Sequence, residues 1–554
     1  MNNLVILIVI IPLIASFFCL IDKYIPHLQL AQIVSIGATL ICMALLAVLF
    51  PPIFRGDVVS YSVGGWKEPL GISLHMDGFA WISSCMSMVV ALFALIFAWA
   101  EKEHGNLFYF VFLIFIAGMQ GVTLTGDIFN MFVFFEIFSI ASYILIAYEG
   151  KTKSILASFN YLLISSLGMG FFLLGIVILY QHTGVLSLND IANLMSKAGN
   201  SDFTLNLALI CFVVGIGIKA AFIPLHIWLP DAHAFAPHPV SAILSGIAIK
   251  VSFLAIWRII LLFQAFDIEH IFLWVGAFTA FLGVIWAVAQ VDSKKLLAYH
   301  SISQIGFIVV SFGVGRPLAL DASYYHLLNH AFFKSLLFLC IGSVIYATGQ
   351  RHIHKLGALR KKMPTVFFSF LVGMLAICGI PPFDGYASKA LISISLNKHP
   401  VVYFFIFLSS IITVTSFLKL SGIFTGKPNK EKTSFISYKI PAKMRLSLVA
   451  LSIICLATGI APHFWIRTLD TFVTGRKLDI IPTVYSLHQL VATLLMVGLG
   501  FALYLFIRSS PGKKTLRFIR GFRLGLNNSI LLVVVTFLIF ILLSWIVAKG
   551  FVQF

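Results

Sequence analysis

Charge is what this 554-residue chain has least of. Only 10% of its residues are Asp, Glu, Lys or Arg, and the acidic ones number 20 against 38 basic. Soluble domains run at about 25% charged, so a water-facing surface over most of the chain is excluded. Cysteine is sparse too. The seven cysteines (Cys19, Cys42, Cys85, Cys211, Cys340, Cys378, Cys455) are scattered and show no CxxC or CxxxH spacing. That excludes iron–sulfur, zinc and disulfide frameworks. No basic stretch precedes the first apolar run, LVILIVIIPLIASFFCLI, and no small-residue cleavage site follows it. The run therefore reads as a retained helix rather than a signal peptide. No cofactor motif appears, and neither a cofactor nor a resident metal is expected.

What fills the chain instead is apolar. Hydrophobic residues make up 60% of it, with a mean hydropathy of +1.02. A span takes about 20 apolar residues, so this is a polytopic, all-α membrane helix bundle. Apolar runs begin near residues 3, 29, 76, 106, 128, 154, 203, 239, 270, 296, 322, 365, 401, 446, 486 and 528, about sixteen helices by the length rule. The net charge of +18 does not point to nucleic acid, because the basic residues lie between apolar runs. One set of loops carries Lys151 and Lys153, Lys294 and Lys295, Arg351 to Lys362, Lys427 to Arg445 and Arg508 to Arg523. The alternate set is poor in Lys and Arg. The positive-inside rule makes the first set cytoplasmic and puts both termini outside. Two polar stretches stand out. In the outer loop 51–75, the alternation VVSYSV suggests a small hairpin. The basic stretch 511–527 reads as a loop that sets topology, with an interfacial helix as the alternative.

The functional signal is ionisable side chains inside these runs. A charge at the centre of a span costs roughly 2.5–3.5 kcal/mol, so it faces protein or water, and such residues are functional by default. Residues 215–258 carry Lys219 and Lys250 on either side of a turn rich in Pro and His. Pro224 removes a backbone donor and breaks the first helix, and freed backbone at membrane depth is tolerated only in packed protein or a wet cavity. Pro381 and Pro382 precede Lys389 in the same manner. Breaks in matching positions of two halves are the sequence pointer to an inverted-repeat transporter. Glu136 lies alone in NMFVFFEIFSIASYILIAY, with Lys219 the candidate partner; a static ion pair locking two helices is the alternative. His326, His330 and Lys334 recur at spacings of four on one helical face, a pattern that suits a proton relay because His titrates nearest neutral pH. A two-His metal site lacks a third ligand. Asp384 could pair with Lys389. His226, Asp231, His233 and His238 follow the first break, where they either feed protons inward or cap helices. His300 is a further relay candidate, and Lys294 and Lys295 are read as topology signals.

These residues resemble one family: the antiporter-like membrane subunits shared by respiratory complex I, Mrp-type cation/proton antiporters and membrane-bound hydrogenases. The motifs are FFEIFSIASYILIAY around Glu136, GIKAAFIPLHIWLPDAHAFAPHPVSAILSGIAIK from Gly217 to Lys250, DSKKLLAYHSISQIGF, HLLNHAFFKSLLFLCIGSVI and GIPPFDGYASK. They run in the family's order over about 125–390; the flanking regions match only as hydrophobic helices. The resemblance implies about 14–16 transmembrane helices with two inverted five-helix repeats containing broken helices. It divides the chain into N-terminal helices (1–105), a first repeat (106–265), a second repeat (266–425) and C-terminal helices with basic loops (426–554). It implies a Glu136–Lys219 pair and a hydrated axis through Lys250, His326, His330 and Lys334 to Lys389, with His226, His300 and Asp384 as secondary members. The expected protein is a proton-translocating subunit of a multi-subunit complex in the cytoplasmic membrane. It would hold no redox centre of its own and be coupled to an oxidoreductase reaction in partner subunits. An Mrp-type Na⁺/H⁺ antiporter subunit without a redox partner, and a non-transporting scaffold, are the alternatives.

Overall fold

A computed structural model describes residues 2–24, 28–101, 103–195, 203–263, 269–427, 439–475, 478–521 and 525–548. The fold is helical throughout these residues, apart from one antiparallel hairpin in which Val59–Ser62 pairs with Ser73–Met76. The outer-loop alternation therefore does form strands, and the cross-strand pair Ser60 and His75 joins hydroxyl to ring Nδ1 at 2.7 Å. Fourteen helices are long and apolar enough to cross a membrane. The two remaining apolar runs, near 365 and 528, are helical as well but differ from a plain span. Pro364–Cys378 has only 15 residues, about 22 Å at 1.5 Å per residue against a hydrocarbon core of about 30 Å. Gly379 ends it with φ +73° and the chain resumes helically at Asp384–Ser395. Leu526–Ala548 follows a bend of 78° from the helix Ser510–Gly521.

That last helix corrects the reading of 511–527 as a loop. Gly512 and Leu516 recur at helical spacing and are buried, while Lys513, Lys514 and Arg517 are exposed. Arg520 Nε donates to the carbonyl of Ala289 at 3.0 Å, a cation placed at the negative end of the Glu269–Ala289 helix. The basic loop around 428–438 and the expected repeat boundary at 265 lie outside the described residues.

Burial sorts the spans into layers. The span His238–Leu262 is buried over most of its length, with Leu261 exposed at its end, and Ser293–Phe312 and Pro317–Thr348 are nearly as enclosed, whereas the first two helices and Leu487–Arg508 turn most of their surface outward. Small residues let the inner helices touch. A Cβ on Gly215 would meet the Gly168 carbonyl at 2.6 Å, and one on Gly246 would meet Ser335 Oγ at 2.0 Å. Close approach through small residues is how membrane helices pack without a hydrophobic drive between them. It brings the polar positions of these helices to a common axis.

Candidate functional site: a buried file of lysines and histidines

The first helix break is built around Lys219. Phe203–Ala220 stops one residue beyond it, Ala221 takes φ +58°, and the chain turns through Pro224 before Leu229–Phe235. The break leaves backbone groups without intrahelical partners, and side chains supply them. Trp228 Nε1 donates to the Ile218 carbonyl at 2.7 Å, and Thr279 Oγ1 accepts from the Ile223 amide at 3.1 Å. Lys219 is 1% exposed. Its ammonium sits 5.4–5.7 Å from the ring centroids of Phe138, Tyr143 and Tyr161, a cation–π cage, and donates to Ser139 Oγ.

The expected Glu136–Lys219 contact is not formed. No ion pair joins them among the described residues. Ser139, one turn on from Glu136, holds the lysine instead, and the carboxylate acts on it through space. Glu136 itself is only half-buried. The reason is register: Ser139 lies on the inward face of the Ile128–Ala147 helix, and Glu136 lies at that face's edge.

Lys250 owes its position to a second irregularity. Leu244–Ala248 is a π-turn within the buried span, and its wider winding leaves the Ser245 carbonyl to accept from Lys250 Nζ. Such turns collect at functional sites. Ser245 Oγ also bonds Ser301 Oγ at 2.7 Å.

Pro317–Thr348 carries the next three groups, all fully buried. His326 is held at both ring nitrogens, Nδ1 to Ser388 Oγ at 2.9 Å and Nε2 to Gln304 Oε1 at 3.2 Å. The His330 ring lies parallel to it, 9° apart with centroids at 6.1 Å, and neither His330 nitrogen has a protein partner. Lys334 Nζ donates to the Leu297 carbonyl at 2.6 Å. His326 adjoins the Lys389 helix through Ser388, His330 is within electrostatic reach of both Lys250 and Lys334, and Lys334 is within reach of His233 and His300.

At the second break Lys389 Nζ donates to the Ile377 carbonyl at 2.7 Å, one of the carbonyls that the end at Cys378 leaves free. Gly379 is required here: φ is +73° and a Cβ would lie 3.1 Å from Lys389 Cδ. The lysine lines a cavity of about 60 Å³ with Phe307, Tyr403, Gln489 and Thr493. A water needs roughly 10–15 Å³ by this measure, so the cavity has room for several. Asp384 does not pair with Lys389. Its Oδ1 accepts from the Gly385 amide at 2.8 Å, and its backbone carbonyl takes Asn329 Nδ2 at 3.0 Å. As first residue of its helix it caps its own backbone.

His300 is fully buried between the Lys334 and Lys389 charges and bonds Ser416 Oγ. His226 stands apart, stacked on Trp286 at 5.2 Å and bonded to the Pro224 carbonyl at the break. The sequence reading left His233 open between feeding protons and capping, took Lys294 for a topology signal and missed the partly buried Lys419. His233 is fully buried with both nitrogens unpartnered, and its signal was its place in PLHIWLPDAH. Lys294 is no topology marker: it is 2% exposed and donates to the Ala236 carbonyl at 2.6 Å. Lys419 caps the same helix end as Arg520, through the Val288 and Gln290 carbonyls at 2.8 and 2.6 Å. No cluster of three or more metal-ligating side chains occurs among the described residues.

A file of buried Lys and His linking two broken helices defines an antiporter-like membrane subunit. Residues 125–415 match the NADH:quinone oxidoreductase/Mrp antiporter transmembrane family, and the chain belongs to it. It is 31% identical to a Na⁺/H⁺ antiporter subunit of Alkalihalophilus pseudofirmus, over 88% of this chain and 99% of that one. It is 37% identical to an NADH-quinone oxidoreductase subunit of Desulforudis audaxviator, over 70% and 79%. Among solved structures it resembles a chain of the Mrp complex from a Dietzia species, with TM-score 0.79 and 25% identity over 90% of this chain and 99% of that one. It also resembles a chain of the archaeal membrane-bound sulfane sulfur reductase, with TM-score 0.78 and 26% identity over 85% and 98%.

Proposed function

We propose that the chain conducts protons along the bilayer midplane as one subunit of a multi-subunit complex in the cytoplasmic membrane. The observation that carries this is the file itself: Lys219, Lys250, His330 and His326 are ionisable and buried, Lys389 partly so, and they are tied to carbonyls, hydroxyls or one another rather than to carboxylates. An uncompensated buried ammonium is costly, so each lysine gains by passing its proton to water or to the next group. Glu136 biases the first member. At an effective dielectric of about 20 and beyond 4 Å the coupling stays below about 4 kcal/mol, at most about a thousandfold in proton affinity. His300 and Lys334 extend the file. The segments 106–265 and 266–425 are its two inverted repeats, each contributing one break and one terminal lysine. Both chain ends lie outside, opposite the basic loops.

Exchange of protons against sodium, without a redox partner, is the coupling we favour, because the match to the antiporter subunit runs end to end. A redox-driven pump is the second reading, favoured by the higher identity to the NADH-quinone oxidoreductase subunit. Inside-out vesicles carrying the assembled complex separate them. Sodium added in the presence of respiratory inhibitors collapses an imposed ΔpH under the first reading and leaves it intact under the second. Lys250→Ala abolishes proton movement under both; full transport by that variant ends the proposal.

A further inference from the structure

Buried ionisable groups do not end at Lys334. At the basic-loop end of the bundle a second cluster lies beyond it. Glu101 and His104, between the helices Gly78–Ala98 and Asn106–Leu124, are 7% and 8% exposed. Glu101 Oε2 and His104 Nε2 are 2.6 Å apart. The imidazole is fixed by stacking on Phe108, centroids 4.1 Å apart and rings 8° from parallel. The outer atoms of the pair, Glu101 Oε1 and His104 Nδ1, are buried without a protein partner. A buried pair normally spends such atoms on hydrogen bonds, and a purely structural ion pair gains nothing by leaving both ends open.

We infer that the Glu101–His104 pair is a proton-loading site that takes protons from the cytoplasmic water and passes them through Lys294 to the buried file. The inference rests on the proton-conducting reading above. Lys294 is within electrostatic reach of Glu101 on one side and of His233 on the other, and His233 in turn of Lys334 and Lys250. His238 faces both His104 and Lys294. The other groups around the pair are Glu103, Tyr109, Tyr148, Lys151 and Arg351. Burial holds the Glu101 carboxyl above the usual carboxylate range, against the opposing pull of His104 and Lys294. That brings its proton affinity toward that of the groups it serves. The pair holds one proton in its bridge at rest. Loading adds a second at the open His104 Nδ1, and delivery of one proton to Lys294, after that lysine has handed its own proton inward, returns the pair to one.

The test uses inside-out vesicles with the whole complex, read by a ΔpH-sensitive dye from neutral to alkaline pH, with assembly followed on native gels. Glu101→Gln is expected to slow proton transport roughly tenfold at alkaline pH, less than the roughly 10²–10⁴-fold of a lost general acid–base group because Lys294 can still be protonated directly. The deficit narrows as protons become abundant, because direct protonation of Lys294 then suffices. His104→Gln shows the same pH-dependent loss, and Glu101→Asp restores the wild-type profile. An unchanged rate and profile in Glu101→Gln overturns the inference. So does a loss equal at every pH, or loss of assembly in both Gln variants, since either makes the pair structural. Lys250→Ala run alongside tells the two failures apart: a silent Lys250 variant sinks the conducting reading, whereas a dead Lys250 variant beside a silent Glu101 variant sinks only the loading site.

Discussion

The two helix breaks are built from the same parts and finished differently. Each has a helix end, a proline-containing turn and one lysine, Lys219 buried at the first and Lys389 partly buried at the second. At the first break Lys219 is held by a side chain of a different helix, Ser139, next to a carboxylate it does not touch, inside a closed ring cage. At the second, Lys389 is held by a carbonyl of its own break, Ile377, and faces a cavity of about 60 Å³. Its nearest acidic candidate, Asp384, is turned to its own helix N-terminus. A lysine gripped by a neighbouring helix responds when that helix, or the charge on it, shifts. A lysine bonded to local backbone beside open space exchanges with water whatever the neighbours do. The first break is therefore suited to gating and the second to release.

Replacing each lysine by Ala breaks the comparison most directly. On the proposed function Lys219→Ala removes a proton carrier that has no substitute within its cage, and proton transport in vesicles is expected to fall by roughly 10²-fold or more, the scale of a lost acid–base group. Lys389→Ala enlarges a cavity that already admits water, so the loss is smaller, about tenfold on the same scale. Equal losses would remove the distinction between gate and outlet. The next largest effect belongs to Ser139→Ala. A hydrogen bond to a charged group contributes about 1.5–3 kcal/mol, so freeing Lys219 from its anchor changes the transport rate about tenfold with assembly intact. A Ser139 variant indistinguishable from wild type would return control to Glu136 acting alone.

Most of the fold was legible because membrane spans announce themselves by length and hydropathy, and the breaks because proline cannot donate to a helix. Depth in a span was enough to single out Lys219, Lys250 and Lys389. What remained hidden was which groups touch. Lys219 and Ser139 are 80 residues apart, and whether Glu136 or Ser139 meets the lysine depends on a rotation of one helix that its apolar composition does not encode. Lys294 looked like a topology signal because it stands beside Lys295 in a basic loop. Asp292 caps both their amides and is itself paired with Arg351, 59 positions on, which turns Lys294 inward while Lys295 reaches Asp231. The amphipathic helix at Ser510–Gly521 was concealed by a composition that loops share.

The smallest effect is the sharpest check on the two-break comparison. Glu136 and Asp384 are both carboxylates near a break lysine, and a symmetric device would use them alike. Asn in place of Asp384 keeps the oxygen that accepts from the Gly385 amide and removes only the charge. Because that charge neither pairs with Lys389 nor faces the lysine's cavity, Asp384→Asn changes proton transport less than about twofold, far below the roughly 10²–10⁴-fold that loss of an acid–base group costs. Glu136→Gln removes the only acidic charge acting on Lys219 among the described residues, and its effect is expected to exceed that of Asp384→Asn at every pH assayed. If the Asp384 variant fails as badly as the Glu136 variant, the second break is a gate as well. Release must then be sought at another group, with Lys334 the first place to look.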